Sequence, residues 1–432
     1  MKTRSGKLEK TALVETVKEG SKSLIHIVND PDGGFVLVSA SKDYYPVLAY
    51  SDDGVLDLSS ENEIIGLKIW MEETKAAIKS SETFDEESKA MIRGQWASFD
   101  AGDNMIVDSK LSAKSTTYSS SGDAMQNRMN ALYYQYGQNG WYTYTSLADA
   151  QSYFANNMSV YNSLCSIANA RNSPLDYTIV AIKNEEVKYQ TLAGPLTSTT
   201  WHQRPPFNTA YNSTLPLGCG VVALAQIMKF HKRTGSFDWS NMPNTGGETA
   251  QNLNTSSTPA FMNELRDRLG LKPGETTVGE YQMGQALYNS GYGREEKNHN
   301  STGVKDQILA GKPVCMFGSY IDVPNGLKGH IWVCDGVASA QSKILYFVEY
   351  KTNNGYSNYG YTSHEYPGIA GPFNYSNNIF FYMNWGFQKG DTVEGGWCNG
   401  WFLNNDNNGV DISERSMNIQ YNRLNIYIYP PA

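Results

Sequence analysis

The stretch that decides the fold is LPLGCGVVALAQIMKFH, residues Leu215–His231. Pro216 and Gly218 punctuate a loop, and the apolar run behind them is long enough for a helix that begins at Cys219. That start matters for the sulfur. The unpaired N–H groups and the dipole of a helix N-terminus favour negative charge, and so favour thiolate over thiol. A thiolate beside an imidazolium is an activated nucleophile. A buried, inert cysteine capping a core helix has the same pattern, so the helix start alone leaves both readings open.

A cysteine nucleophile needs a base. His231 lies on the same helix, roughly 18 Å away at 1.5 Å per residue, and cannot reach Cys219. His26 belongs to the N-terminal part, and His299 and His364 sit in polar, loop-like stretches. His202 adjoins Gln203 and is harder to exclude. His330 stands out, because LKGHIWVCDG places it after Lys328-Gly329 and at the head of an apolar strand. A strand end is a rigid platform for a base, and the glycine leaves room for a ligand. A strand-edge histidine with no role has the same pattern. Asn384-Trp385-Gly386 ends another apolar strand, NIFFYM. An Asn oxygen can accept the second N–H of an imidazole, and a neighbouring Trp can shield that bond. Gln203 follows Trp201, and its amide is a suitable oxyanion donor. Taken singly, Asn384 also fits a turn and Gln203 a surface position.

Taken together and in order, WHQRPPFN, GCGVVALAQIMKFH, GHIWVCDG and NWGF resemble the streptopain family of bacterial papain-like cysteine proteases. The spacing from Cys219 to Ala225-Gln226 and Met228-Lys229 matches that family's pattern without a gap. The resemblance spreads over about residues 194 to 430. It implies Cys219 as nucleophile, His330 as base, Gln203 as oxyanion donor, and Asn384 with Trp385 as the pair that orients the histidine. GGFVLVSASKDYYPVLAYSDDG, from Gly33, is similar to the family's inhibitory pro-domain. The implied fold is α+β, a papain-like domain with a central helix packed on a mostly antiparallel sheet, preceded by an α+β pro-domain. The expected division is 1–190 for the pro-domain and 191–432 for the peptidase. Three features depart from the pattern. Gly220 replaces the family's Val, Phe387 stands where a second Trp is usual, and residues 339–378 lengthen the connection between the His330 and Asn384 strands.

Nearer the N-terminus, SKSLIHIVNDPDGGFVLVSASKDYYPVLAY, from Ser21 to Tyr50, carries two apolar runs around Asp30-Pro31-Asp32-Gly33-Gly34, which predicts a hairpin and then a strand at Pro46–Tyr50. ENEIIGLKIWMEETKAAIKS predicts a helix over residues 60–80. A Ser/Thr/Lys-rich loop is expected at 110–124, short helices over 125–170, and a strand from Leu175. From Val314 onward the chain is strand-rich.

The chain has 432 residues, enough for two or three packed domains, with 40% apolar and 18% charged residues. A net charge of -8 argues against nucleic acid as a partner. No apolar run reaches 18 residues, so no transmembrane segment is expected. MKTRSGKLEK is basic but leads into no apolar h-region, so it does not read as a signal peptide. The five cysteines form no C-x-x-C pair, which argues against a zinc site, and no cofactor is expected.

The resemblance implies a latent cysteine endopeptidase, expected to be exported to the periplasm, surface or surroundings of a bacterium. Its partners would be protein or peptide substrates and its own pro-domain as intramolecular inhibitor. The activating cut is expected between residues 183 and 194, read as an exposed polar stretch. Two alternatives use the same residues: a silent relative that binds peptides or a partner protein through the cleft, and a transglutaminase or amidase with the same Cys–His chemistry.

Overall fold

Asp30-Pro31-Asp32-Gly33-Gly34 does reverse the chain. Gly33 and Gly34 take φ of 104° and 105°, a region that side chains with a Cβ rarely enter. The computed structural model describes residues 13–58, 64–84, 89, 92, 95–96, 141–143, 178–232, 237–244, 256–322, 326–351, 359–365, 377–388, 398–404 and 422–429.

Its strands, in chain order, are β1 (Leu13–Glu19), β2 (Lys22–Asn29), β3 (Phe35–Ser39), β4 (Val47–Ser51), β5 (Trp141–Thr143), β6 (Thr178–Ala193), β7 (Gly293–Asn298), β8 (Val314–Asp322), β9 (Gly326–Lys351), β10 (Tyr359–Glu365), β11 (Asn377–Asn384), β12 (Gly400–Leu403) and β13 (Asn422–Tyr429). The helices are α1 (Ile65–Ser80), α2 (Cys219–His231), α3 (Thr258–Arg268), α4 (Glu280–Asn289) and α5 (Ser301–Leu309). The hairpin, the helix from residue 65, the helix from Cys219 and the strand-rich C-terminal part follow the sequence expectations. The loop expected at 110–124 lies outside the described residues, and so does most of 125–170.

The protein is a mixture of helices and antiparallel sheet. The main path of the sheet runs β1-β2-β3-β4-β12-β11-β9-β8-β13-β7, with β6 and β10 also pairing β9. Two features of this topology were hidden in the sequence. First, β4 pairs β12 through Trp401↔Tyr50 and Phe402↔Ala49, so the sheet runs unbroken across the expected boundary at residue 190. Second, the window expected to be cut lies in β6, which pairs β9 antiparallel from Thr178 to Ala193. Its polar residues made it read as a linker, but its backbone belongs to a ladder. A cut there requires β6 to peel from β9.

Alternation along β9 sorts the core onto two faces. Trp332 and Cys334 join a cluster with the N-terminal strands and α1. Ile331 and Val333 join the cluster built on α2, α3 and α4. β8 repeats the division, with Met316 on the first face and Cys315 on the second. The α1 helix and the Cys219 helix therefore cover opposite faces of the β8–β9 pair. α1 is anchored on its face by Trp70, whose indole donates to the Leu403 carbonyl at 2.9 Å and sits edge-on to Phe402. Among the described residues no helix is long and apolar enough to cross a membrane.

Candidate active site

Cys219 is the first residue of α2, as the loop-then-apolar pattern predicts. Gly218 precedes it with φ 106° and ψ 137°. A Cβ at Gly218 would stand 2.8 Å from the Thr276 carbonyl oxygen, so both the backbone and the space demand glycine. Gly220 has a similar cause. A Cβ there would lie 2.4 Å from a methyl of Val278, so Val278 fills the volume that a larger residue at 220 would use.

Gln203 reaches this turn directly. Its backbone carbonyl accepts from the Leu217 N–H at 3.0 Å, and its side-chain oxygen accepts from the Gly218 N–H at 3.1 Å. With that oxygen engaged, the amide N–H₂ is left as the donor end of the group. Cys219 keeps a partly exposed edge, yet burial of its sulfur pushes the thiol above its ordinary pKa. Hydrogen bonds from the backbone of Ile331, Gly220 and Cys219 itself oppose that rise without overcoming it. The remaining described cysteines, Cys315, Cys334 and Cys398, are buried and not in disulfides.

His330 faces the other way. Its strand neighbour Ile331 points into the α2 cluster, where it meets the space above Gly220. The His330 ring lies on the α1 face, 2% exposed and stacked 6.0 Å from Trp332 at 12°. Phe387 covers it at 5.1 Å. Its Nε2 lies 2.9 Å from the Trp385 carbonyl oxygen. A carbonyl only accepts, so Nε2 carries the proton. Burial lowers the pKa of this imidazole to about 4, against the opposing pull of that carbonyl. Gly66 of α1 closes the pocket. A Cβ at Gly66 would be 2.6 Å from the Trp385 ring and 2.8 Å from His330 Cδ2.

Asn384 is not bonded to His330 in this arrangement. Its amide donates to the Thr199 carbonyl at 2.7 Å and to Gln226 Oε1 at 3.0 Å. Its oxygen accepts from the Gly386 N–H at 3.3 Å and from the Gln226 amide at 3.4 Å. Trp385 is 1% exposed and held through its backbone N–H by Asn399 Oδ1 at 2.9 Å. The structure thus brings Gln203 to Cys219, and Trp385 to His330 through a carbonyl. It leaves Asn384, at the end of β11, bonded to Gln226 of α2, and His330 on the far face from Cys219.

Among the other histidines, His202 is fully buried, edge-on to Phe207 at 4.6 Å, and its Nδ1 accepts from the Arg204 N–H at 3.3 Å. It shapes the turn that carries Gln203. His26 meets Thr16 Oγ1 at 3.0 Å, and His299 meets Asn425 Oδ1 at 3.0 Å, both in other parts of the sheet. Sequence reasoning gave no role to Gln226, Gly66 or Asp335. Gln226 had a signal, being a polar residue two turns after Cys219 in an otherwise apolar run. Asp335 is 1% exposed and accepts from the Thr197 N–H at 2.8 Å and hydroxyl at 2.6 Å. Burial raises its carboxyl to about 7. Gly66 had no signal, because its partner rings are remote in the chain. Among the described residues, no group of three or more His, Cys, Asp or Glu side chains could hold a metal ion.

Comparison with known proteins adds the following. The family model described as Spi protease inhibitor matches residues 1–78. No curated protein matches the chain. Among solved structures, a fragment of Prevotella intermedia prointerpain A is 13% identical, with a TM-score of 0.39, covering 88% of this chain and all of that one. The active wild-type interpain A cysteine protease of Prevotella intermedia is 15% identical, with a TM-score of 0.31, covering 54% of this chain and 93% of that one.

Proposed function

We propose that the chain is a papain-like cysteine endopeptidase made in a latent form, with residues 1 to about 190 acting as its intramolecular inhibitor. The observation that carries the reading is the Gln203–Gly218–Cys219 turn, which sets a side-chain amide beside a thiol at a helix N-terminus. In the working enzyme Cys219 would attack the scissile carbonyl, His330 would take the thiol proton, and the Gln203 amide with the Cys219 N–H would hold the oxyanion. His330 would protonate the leaving amine, and water would then hydrolyse the acyl-enzyme. Asn384, shielded by Trp385, would accept from the imidazole once the histidine turns to the α2 face. Substrates would be proteins or peptides outside the bacterial cytoplasm.

The position of His330 supports latency. Its ring is held by Trp332, Trp385 and Phe387 under Gly66 of α1, on the face opposite Cys219. Both the thiol and the imidazole are biased to their neutral forms there. The match of residues 1–78 to a protease-inhibitor family supports an inhibitory role for this part. Tethering keeps its effective concentration high.

The separation of His330 from Cys219 also favours a silent peptide-binding relative, and one experiment distinguishes the two. Turnover of a peptide substrate is compared for the intact chain, the cut chain and the cut Cys219→Ala chain. The enzyme reading expects hydrolysis by the cut chain alone. Equal turnover by intact and cut chains removes the inhibitor role, and no turnover by any of them leaves the binding protein. A cut Cys219→Ala chain that still hydrolyses the peptide rules out Cys219 as nucleophile.

A further inference from the structure

The residue before Gly218 is gripped from a second side. Arg266, on α3, is 1% exposed. Its Nη1 donates to the Leu217 carbonyl at 2.6 Å and its Nη2 to the Lys272 carbonyl at 2.5 Å. Its guanidinium lies 4.0 Å from the centre of the Tyr211 ring. Among the described residues these partners are carbonyls and a ring, not a carboxylate, and Nε has no hydrogen-bond partner. A guanidinium buried in this way carries a large desolvation cost, which none of these partners offsets with an opposite charge.

The groups it joins all converge on one peptide. The Leu217 N–H donates to the Gln203 carbonyl, and the next N–H, of Gly218, donates to the Gln203 side chain. Arg266 takes the Leu217 carbonyl, the acceptor of the Leu217–Gly218 peptide. The Lys272 carbonyl belongs to the segment that leads to Thr276, whose backbone carbonyl packs against Gly218. Tyr211, beneath the guanidinium, accepts from the Gly274 N–H in the same segment at 2.7 Å. Arg266 therefore clamps both walls of the slot that holds Gly218, while Gln203 reads the position of Gly218 directly.

We propose that Arg266 is a positioning residue for the oxyanion site, acting through the Leu217–Gly218 peptide on the Gln203 amide. This rests on the enzyme reading above. Removing the clamp lets the Leu217–Gly218 peptide rotate, and the Gln203 amide moves with it. Misplacement by an ångström costs up to about 100-fold in rate. The effect falls on kcat, because the amide engages charge that develops after binding.

The test is a double-mutant cycle on the full chain carried through activation, with active sites counted by thiol alkylation. Arg266→Met is expected to lower kcat about 10- to 100-fold with KM changed less than about threefold. In a Gln203→Ala background the same substitution is expected to cost less than about threefold, because the group it positions is gone. Arg266→Lys keeps one donor to the clamp and is expected to fall between, and it serves if the Met variant does not fold. Added guanidinium ion is expected to restore part of the kcat of Arg266→Ala. Equal losses in the two backgrounds, or a change confined to KM, would overturn the proposal. No turnover by the activated parent chain would instead overturn the enzyme reading and leave the clamp without a reaction to serve.

Discussion

At the scale of single residues, two buried titrating groups pull stability in opposite directions across the acid range. His330 has its folded pKa lowered from 6.5 to about 4, so its contribution is complete above 6.5 and is lost as pH falls toward 4. Asp335 has its folded pKa raised from 3.8 to about 7, so its contribution is complete below 3.8 and is lost as pH rises toward 7. Each shift corresponds to roughly 3–4 kcal/mol, so the two trends nearly cancel in the intact chain. Substituting one unmasks the other. For His330→Gln, urea midpoints are expected to fall between pH 4.5 and 6.5, and for Asp335→Asn to rise. Parallel profiles in the two variants would mean that neither group sets the trend. The sequence singled out His330 and Gln203, because both sit in patterned motifs. It could not foresee that the Nε2 of His330 bonds the Trp385 carbonyl and not Asn384. That choice follows from the face of β9 the ring takes, which strand alternation sets and against which α1 packs.

The elements explain how that face is chosen. α1 can lie against Trp385 and His330 only because residue 66 lacks a Cβ. Gly66→Ala tests the contact, and two effects compete. Helix propensity favours alanine by up to about 1 kcal/mol. Overpacking against the two rings costs about 1–3 kcal/mol, so the clash is expected to win. The uncut variant is predicted to melt earlier and to show more basal peptide hydrolysis than the parent, because α1 no longer seats. An unchanged melting point and an unchanged basal rate would separate α1 from latency. At the α2 end, Gln203→Ala is predicted to lower kcat of the activated chain roughly 100-fold, the scale of one oxyanion donor. A KM effect alone would assign Gln203 to binding. Both helices were readable from apolar spacing and punctuation. Their placement on opposite faces was not, because it depends on strand alternation within β8 and β9 and on partners far away in the chain.

Across the whole molecule, the seam between β4 and β12 joins the N-terminal strands to the rest of the sheet. It consists of two residue pairs, Trp401↔Tyr50 and Phe402↔Ala49, reinforced by the Trp70 hydrogen bond to Leu403. On the proposed function, a seam that short is where the N-terminal part would separate from the rest, and the β6 ladder must also open for any cut within it. Hydrogen exchange should report this. On activation, Ala49 and Phe402 amides are expected to lose protection while the β8–β9 pair keeps it. Retained protection at both sites would mean that the N-terminal part stays in place. The sequence suggested two domains because the textures of residues 1–190 and 191–432 differ. The unbroken sheet went unseen because β4 and β12 share no local pattern.

The proposed function stands on Cys219 being the nucleophile of a latent peptidase. The most direct measurement is mass spectrometry of the chain, before and after activation, following exposure to a thiol-reactive peptide inhibitor. One label per chain on Cys219, gained only after activation and in step with loss of hydrolysis, is the predicted result. Labelling of Cys315, Cys334 or Cys398 with loss of hydrolysis while Cys219 stays unmodified would contradict it.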